Sequence, residues 1–214
     1  GTHRLLSSDI KFSNIGMLII DEEQRFGVKQ KEKIRSMNDK VHVLSLSATP
    51  IPRTLNIALS GFKKMSVIET PPVNRLPVQT YILPYKKQIV VESIQKEIER
   101  KGQVFYIHNR IVNIEQSVLD LKKELPKLKI DFLHGRMSEK NIIEVMEKFR
   151  NRKLDVLIST TIIENGLDLS NVNTLIVEDA TRLGLGEAYQ LRGRIGRGGL
   201  ESFAYFFYSK HLTD

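Results

Sequence analysis

Several short words in this chain carry residues able to act on a phosphate. Asp21-Glu22 follows the apolar run 17–20. One carboxylate there can hold Mg2+ through water while its neighbour orients or deprotonates an attacking water. Taken alone, two acids at a strand end are more plainly the solvated start of a loop. Ser47-Ala48-Thr49 follows a second run, 41–46, and its hydroxyls either sense a phosphate or cap a helix beginning near Pro52. Arg194 and Arg197 lie three apart in Gln190-Leu191-Arg192-Gly193-Arg194-Ile195-Gly196-Arg197. On a helix they share one face, where planar guanidinium groups either suit the equatorial oxygens of a transferring phosphate or simply meet solvent. Glycines at 193, 196, 198 and 199 weaken a helix by up to about 1 kcal/mol each, which points to close approach of another surface.

A second set fits nucleic acid. Thr160-Thr161-Ile162-Ile163-Glu164-Asn165-Gly166-Leu167-Asp168 follows an apolar run. Its hydroxyls and amides can hold a backbone phosphate, and Asp168 can accept from a ribose hydroxyl; an ordinary loop uses the same residues. His134-Gly135-Arg136 and His108-Asn109-Arg110 repeat that layout after two further runs, placing polar donors at strand ends. The chain has no cysteine and no paired histidine spacing, so metal ligation by histidine is rejected. Gly-x-x-x-x-Gly-Lys-Ser/Thr occurs nowhere, and Gly184-Leu185-Gly186 lacks the third glycine of a dinucleotide loop.

The elements that must position these words are predicted as follows. Residues 17–20 and 41–46 read as buried parallel strands, with helices over 28–37 and 51–59. Three prolines in Thr70-Pro71-Pro72-Val73-Asn74-Arg75-Leu76-Pro77 mark a linker. Beyond it, strands are predicted over 78–83, 103–107, 130–133, 156–159, 174–177 and 203–208, and helices over 86–101, 111–125, 139–150 and 187–194. Strands spaced by helices imply a largely parallel, doubly wound α/β sheet. The expected division is 1–70, a linker at 71–77, and a complete lobe at 78–214. The first part has too few elements to cover both faces of a parallel sheet, so apolar surface is expected there. A second copy of the chain is a candidate cover for it.

Composition narrows the class. The 214 residues are 41% hydrophobic and 27% charged, with 33 Lys+Arg against 25 Asp+Glu and a net charge of +8. Up to Thr70 there are eleven basic and seven acidic residues, and after it twenty-two and eighteen, so each part carries +4. No basic tail exists, and a surface for a polyanion must be assembled by folding. No apolar run reaches a membrane span and the N-terminus lacks a secretory pattern. Zero cysteines fit a reducing compartment, and a cytoplasmic location is expected, with no membrane partner.

Taken together and in order, these words resemble the motor of superfamily 2 helicases over nearly the whole chain. Asp21-Glu22-Glu23-Gln24 is similar to motif II, Ser47-Ala48-Thr49 to motif III, Thr160 to Asp168 to motif V, and Gln190 to Arg197 to motif VI. The flanking words Arg25-Phe26-Gly27-Val28 and Ala48-Thr49-Pro50-Ile51-Pro52-Arg53-Thr54-Leu55 resemble the group of RecG-type helicases and bacterial transcription-repair coupling factors. Glu23-Gln24, where RecG-type chains read Gln-His, favours the coupling factors.

The resemblance implies two RecA-like lobes with ATP between them and double-stranded DNA across them. It makes Asp21 the Mg2+ ligand and Glu22 the catalytic base. Ser47 and Thr49 couple hydrolysis to lobe motion, and Gln190, Gly166 and Asp168 complete the nucleotide set. Arg194 and Arg197 reach the γ-phosphate. Thr2, His3 and Arg4 fall in a word similar to a DNA-contacting motif of the first lobe. Asn109, His134, Gly135, Arg136, Thr160 and Thr161 form the nucleic-acid set of the second. RNA polymerase and excision-repair proteins are implied as partners through regions outside this sequence.

Asn165 stands where the group commonly has Thr or Ala. The phosphate loop is expected upstream of Gly1, so the chain is expected to be catalytically silent alone. Three other readings stay open: a RecG-like branch-migration helicase, a non-catalytic nucleic-acid-binding module, and a Rossmann-like metabolic enzyme.

Overall fold

A computed structural model describes residues 3–7, 9–22, 26–37, 41–47, 65–70, 76–108, 111–160 and 172–209. The chain divides into two compact units between Ile68 and Glu69. The expected helix over 51–59 and most of the linker at 71–77 lie outside the described residues.

In the first unit, a 3-10 turn at His3–Leu6 precedes strand β1 (Met17–Asp21), helix α1 (Val28–Met37) and strand β2 (His42–Leu46). β1 and β2 pair in parallel from Met17↔His42 to Asp21↔Leu46, the arrangement a helical crossover permits. α1 is built from Lys, Gln and Glu, which are good helix formers, and Gln30 Oε1 accepts from the Gly27 amide at 2.9 Å to start it. Lys33 Nζ donates to the Ser7 carbonyl at 2.9 Å, tying the helix to the 3-10 turn.

The strands are parallel as read, but they are not buried. Met17 is 54% exposed and Ile19 59%, with Leu44 and Leu46 each 43%, and only Ile20 is closed off at 4%. A parallel pair is buried only when both faces are covered, and here they are not.

The second unit carries strands β3 (Val78–Pro84), β4 (Gln103–Ile107), β5 (Ile130–Leu133), β6 (Val156–Ser159), β7 (Val172–Val177) and β8 (Ser202–Tyr208). Helices α2 (Lys87–Glu99), α3 (Ile114–Glu124), α4 (Glu139–Arg150) and α5 (Leu185–Arg192) connect them. The six strands form one sheet in the order β3-β8-β7-β4-β6-β5, and every pair is parallel. Every residue of β4, β6 and β7 is buried.

Side chains alternate along these strands and feed two cores. Phe105, Ile107, Leu157 and Leu175 meet Val145 and Phe149 of α4 and Leu191 of α5. Val104, Tyr106, Ile158 and Ile176 meet Val90 and Ile94 of α2 and Val118 and Leu121 of α3. The sheet is therefore doubly wound, as the alternation of elements predicts.

Helix ends follow local chemistry. Ser138 Oγ accepts from the Asn141 amide at 3.3 Å to cap α4, whose last turn carries Lys148 and Arg150. The predicted helix over 111–125 opens instead with a 3-10 turn at Ile111–Asn113. α2 stops before the predicted residue 101, because Lys101 takes φ 61° and the Gly102 amide returns to the Glu97 carbonyl at 3.0 Å. Beneath that turn the Glu97 carboxylate, 1% exposed, accepts from Thr174 Oγ1 at 2.7 Å, Arg100 at 3.0 Å and Asn173 Nδ2 at 3.4 Å. Any Cβ at position 102 would lie 1.6 Å from Glu97 Oε1, which explains the glycine.

Adjacent strands β4 and β7 send their following connections in opposite directions, to β5 and to β8. The crevice at their carboxyl ends is the topological switch point of the sheet, the place where open α/β sheets take ligands. Among the described residues no helix is long and apolar enough to cross a membrane.

Candidate functional site

In the first unit the paired register brings Asp21, Glu22 and Ser47 to the same edge. Asp21 ends β1 opposite Leu46, the residue before Ser47. The Glu22 amide donates to the Leu46 carbonyl at 2.9 Å, and Glu22 turns away with φ 54°, a left-handed conformation unusual for a residue with a side chain. Asp21 is exposed and Glu22 half-buried.

Among the described residues no cluster of three or more carboxylates, histidines or cysteines could hold a metal by itself. One or two carboxylates and a hydroxyl are nevertheless a hard-oxygen set that fits Mg2+, which keeps waters and takes its remaining ligands from substrate phosphates. Arg4 is held by Asp9 through two bonds of 3.0 and 2.6 Å. Hydrogen bonding from Ser7 first, with Arg4 among the smaller causes, holds the Asp9 carboxyl below its ordinary value. Thr2 and Thr49 lie outside the described residues, and His3 is placed in the 3-10 turn.

In the second unit the candidates fall at two opposite ends of the sheet. His134, Thr160 and His108 follow β5, β6 and β4 at the carboxyl end. The His108 amide donates to the Ser159 carbonyl at 2.8 Å and the Thr160 amide to the Leu133 carbonyl at 3.2 Å, so the three are level. Gly135 and Arg136 form the turn beyond His134. His134 Nδ1 accepts from the Arg136 amide at 3.3 Å, which places the proton of the neutral ring on Nε2. Asn109, Thr161, Gly166 and Asp168 lie outside the described residues.

At the other end, Gln190 sits half-buried in α5. The predicted helix over 187–194 ends at Arg192, capped by Gly193, so Arg194 and Arg197 do not share a helix face. The reason is local. The Arg194 amide turns back to Leu191 O at 3.1 Å, and Gly196 takes φ 72° and donates to the carbonyl of Val172 at the start of β7, at 3.2 Å. A Cβ on Gly196 would stand 2.8 Å from Ser202 Oγ, so the close surface behind this glycine is the chain's own β8. Arg197 is exposed and Arg194 half-buried, presented by a loop that Ile195, fully buried, anchors.

Sequence reading did not single out Glu178. It follows β7, and its carboxylate meets His108 Nδ1 across 70 positions of sequence. Tyr106, 4% exposed, lies beside them. Burial first, and then the Glu178 charge, pushes its phenol well above the ordinary value. The same two causes raise Tyr85, which lies edge-on to Phe207 at 5.7 Å. Only strand order brings β4 beside β7, so no local pattern announces this group.

Comparison with known proteins places this geometry in a family. The chain is 51% identical over its full length to the transcription-repair-coupling factor of Bacillus subtilis (strain 168) and 49% identical to that of Staphylococcus aureus (strain USA300), and it spans 18% of each. A solved structure of RecG bound to a three-way DNA junction superposes with a TM-score of 0.72 at 36% identity, covering 98% of this chain and 28% of that one. Saccharomyces cerevisiae Dbp5 L327V, solved with RNA and ADP BeF3, gives 0.69 at 17% identity over 94% of this chain and 55% of its own, a likeness of fold alone. The six-stranded parallel sheet is thus that of a RecA-like helicase lobe. Residues 85–199, more than half of the chain, match the model of the helicase conserved C-terminal domain, and the chain belongs to that family.

Proposed function

We propose that this chain is part of an ATP-dependent double-stranded DNA translocase of the transcription-repair-coupling type. The observation that carries the reading is the edge at which Asp21, Glu22 and Ser47 meet on paired parallel strands. Mg2+, when bound with ATP, neutralises phosphate charge and polarises the bond to be broken. Asp21 would hold the ion through oxygen. Glu22, turned off the strand axis by its left-handed backbone, orients the attacking water and accepts its proton. Ser47 and Thr49 answer to the state of the phosphate, with Gln190, Gly166 and Asp168 serving the nucleotide. Arg194 and Arg197 supply cationic donors for the charge that develops on the transferring group.

DNA is contacted through its backbone by Thr2, His3 and Arg4 in the first unit and by Asn109, His134, Gly135, Arg136, Thr160 and Thr161 in the second. The net charge of +8 supports a polyanionic partner. RNA polymerase and excision-repair proteins are the proposed partners of the longer protein. A cytoplasmic location follows from that role. RecG-like branch migration is the second reading, supported by the RecG likeness at 36% identity; the 51% identity to the coupling factor favours the first.

Because Gly-x-x-x-x-Gly-Lys-Ser/Thr is absent from the 214 residues, the chain is expected to hydrolyse no ATP. DNA-stimulated hydrolysis is measured for this chain beside a longer one that carries such a loop upstream. The expected result is turnover by the longer protein only, abolished by Glu22→Gln and by Arg197→Ala. Turnover by the 214-residue chain, lost in Glu22→Gln, would refute its silence. No turnover by either would put the binding-module reading ahead.

A further inference from the structure

At the amino ends of β5 and β6, opposite the switch-point crevice, two loops gather positive charge. Residues 122–129 hold four lysines and one acid, and residues 148–155 hold two lysines, two arginines and one acid. The two stretches are distant in sequence, and the pairing of β5 with β6 brings them together. The Asp155 amide donates to the Lys129 carbonyl at 2.8 Å, and Asp155 Oδ2 accepts from the Lys129 amide at 2.7 Å. Buried Gln103 donates through Nε2 to the Phe149 and Leu154 carbonyls, both at 2.7 Å. Bonds to the main chain thus hold both loops in place, and a partner need not order them.

Little of this charge is used inside the chain. Both acids are engaged, Glu124 by Lys87 at 2.8 Å and Asp155 by the Lys129 amide. Lys123 and Lys148 pair with Asp120 and Glu144 of their own helices. Lys122, Lys127, Lys129, Arg150 and Lys153 are exposed and form no ion pair among the described residues. Lys122 and Arg150 lie in the last turns of α3 and α4, where the helix dipole favours a cation. Lys127, Lys129 and Lys153 lie beyond those turns, and no helix end calls for them.

Apolar surface adjoins the charge. Leu119 on α3 is 54% exposed and lies three and four residues before Lys122 and Lys123, on the same face of the helix. Val112, 86% exposed, stands seven residues before Leu119 in the 3-10 turn that leads into α3. A phosphate backbone has no counterpart for two exposed aliphatic side chains, whereas an amphipathic helix presents apolar residues at that spacing. A second copy of the chain would bring the same positive surface and be repelled.

We propose that the outer face of α3 and these two loops form a docking surface for an acidic amphipathic helix of another protein. Its apolar side chains lie on Val112 and Leu119, and its carboxylates meet Lys127, Lys129 and Lys153. The charge along α3 sets the direction: Glu115 stands in its first turn and Lys122 and Lys123 in its last, so the acidic end of the partner lies over the loops. The surface does not depend on the DNA reading, whose second-unit residues follow the carboxyl ends of the strands.

The probe is a synthetic peptide with leucines at helical spacing and glutamates clustered toward one end, set beside a peptide of the same composition in scrambled order. Fluorescence anisotropy over a series of salt concentrations measures binding to the 214-residue chain, to the triple variant Lys127→Gln, Lys129→Gln, Lys153→Gln, and to Leu119→Ala. A short DNA duplex is titrated against the same proteins, and amide NMR of the wild-type chain maps the peptide. The patterned peptide is expected to bind saturably and about tenfold more weakly to the triple variant, with a smaller salt dependence. Leu119→Ala is expected to weaken it about threefold with the salt dependence unchanged.

Equal binding of the scrambled peptide would reduce the surface to bulk charge attraction and overturn the proposal. So would a triple variant that loses duplex affinity as strongly as peptide affinity, since the loops would then serve nucleic acid. Amide shifts confined to residues 112–129 and 148–155 support the surface, and shifts elsewhere refute it. That map is read on the wild-type chain, so it decides the case even where a variant fails to fold.

Discussion

Glu22 shows what the sequence leaves out at the scale of one residue. The pair Asp21-Glu22 is legible as two carboxylates after an apolar run, but the left-handed φ of 54° is not, because glutamate gives no sign of it. That conformation costs a side-chain-bearing residue about 1 kcal/mol or more. Glu22→Gly is therefore expected to gain up to about 1 kcal/mol in urea unfolding while removing the proposed base, whereas Glu22→Gln leaves the strain and removes only the charge. A glycine variant less stable than wild type would show that the corner is not strained.

Gly196 is the mirror case. Its φ of 72° and a Cβ position 2.8 Å from Ser202 Oγ set an expected cost of about 1–3 kcal/mol for Gly196→Ala. Gly184→Ala meets nothing within 4 Å but changes the N-cap of α5, and is expected to cost no more than about 1 kcal/mol. The reading of Arg194 and Arg197 as helix neighbours failed because it carried helical phase through Gly193, where the backbone had already left the helix.

At the scale of elements, strands and helices of the second unit were largely legible because each is a short, strongly patterned run. β5, β6 and α4 occupy the predicted residues, since Ser138 and the flanking loops bound them sharply. What pairs with what was not legible, and two consequences can be measured. The Glu97 carboxylate pins α2 to the start of β7 through Thr174 and Asn173. Glu97→Leu leaves the Thr174 and Asn173 donors without their acceptor, while Arg100 keeps its bond to the Glu201 carbonyl at 2.7 Å, and an expected loss of about 2–3 kcal/mol is checked by chemical denaturation.

Tyr106 on β4 gives a pH signature. Its phenol is raised in the folded state by burial and by Glu178, so the unfolded chain releases that proton first, near pH 10. Stability from the neutral phenol is intact below that point and is lost as pH rises through the alkaline range. Tyr106→Phe is expected to flatten this alkaline limb of the stability curve, measured by urea unfolding at successive pH values.

At the scale of the whole chain, the two units differ in how their sheets meet solvent. In the second, α2 and α3 close one face of the sheet and α4 and α5 the other, and β4, β6 and β7 are buried throughout. In the first, two parallel strands leave Met17, Ile19, Leu44 and Leu46 substantially exposed. The sequence carried a warning of this, since so few elements cannot sheathe a parallel pair, yet its apolar runs still read as buried strands because hydrophobicity alone does not say whether a cover exists.

Local stability follows buried apolar contact, which turns this difference into an ordering. Native-state hydrogen exchange is expected to find the amides of β1 and β2 opening at free energies well below those of β4, β6 and β7. The opening of β1 and β2 separates the two accounts of their exposed face. Protection that rises with protein concentration means that a second copy covers the face, because association adds stability by mass action. Protection that is low and independent of concentration leaves the face open in the chain alone. Protection equal to that of the second unit at every concentration would contradict the exposed strand pair itself.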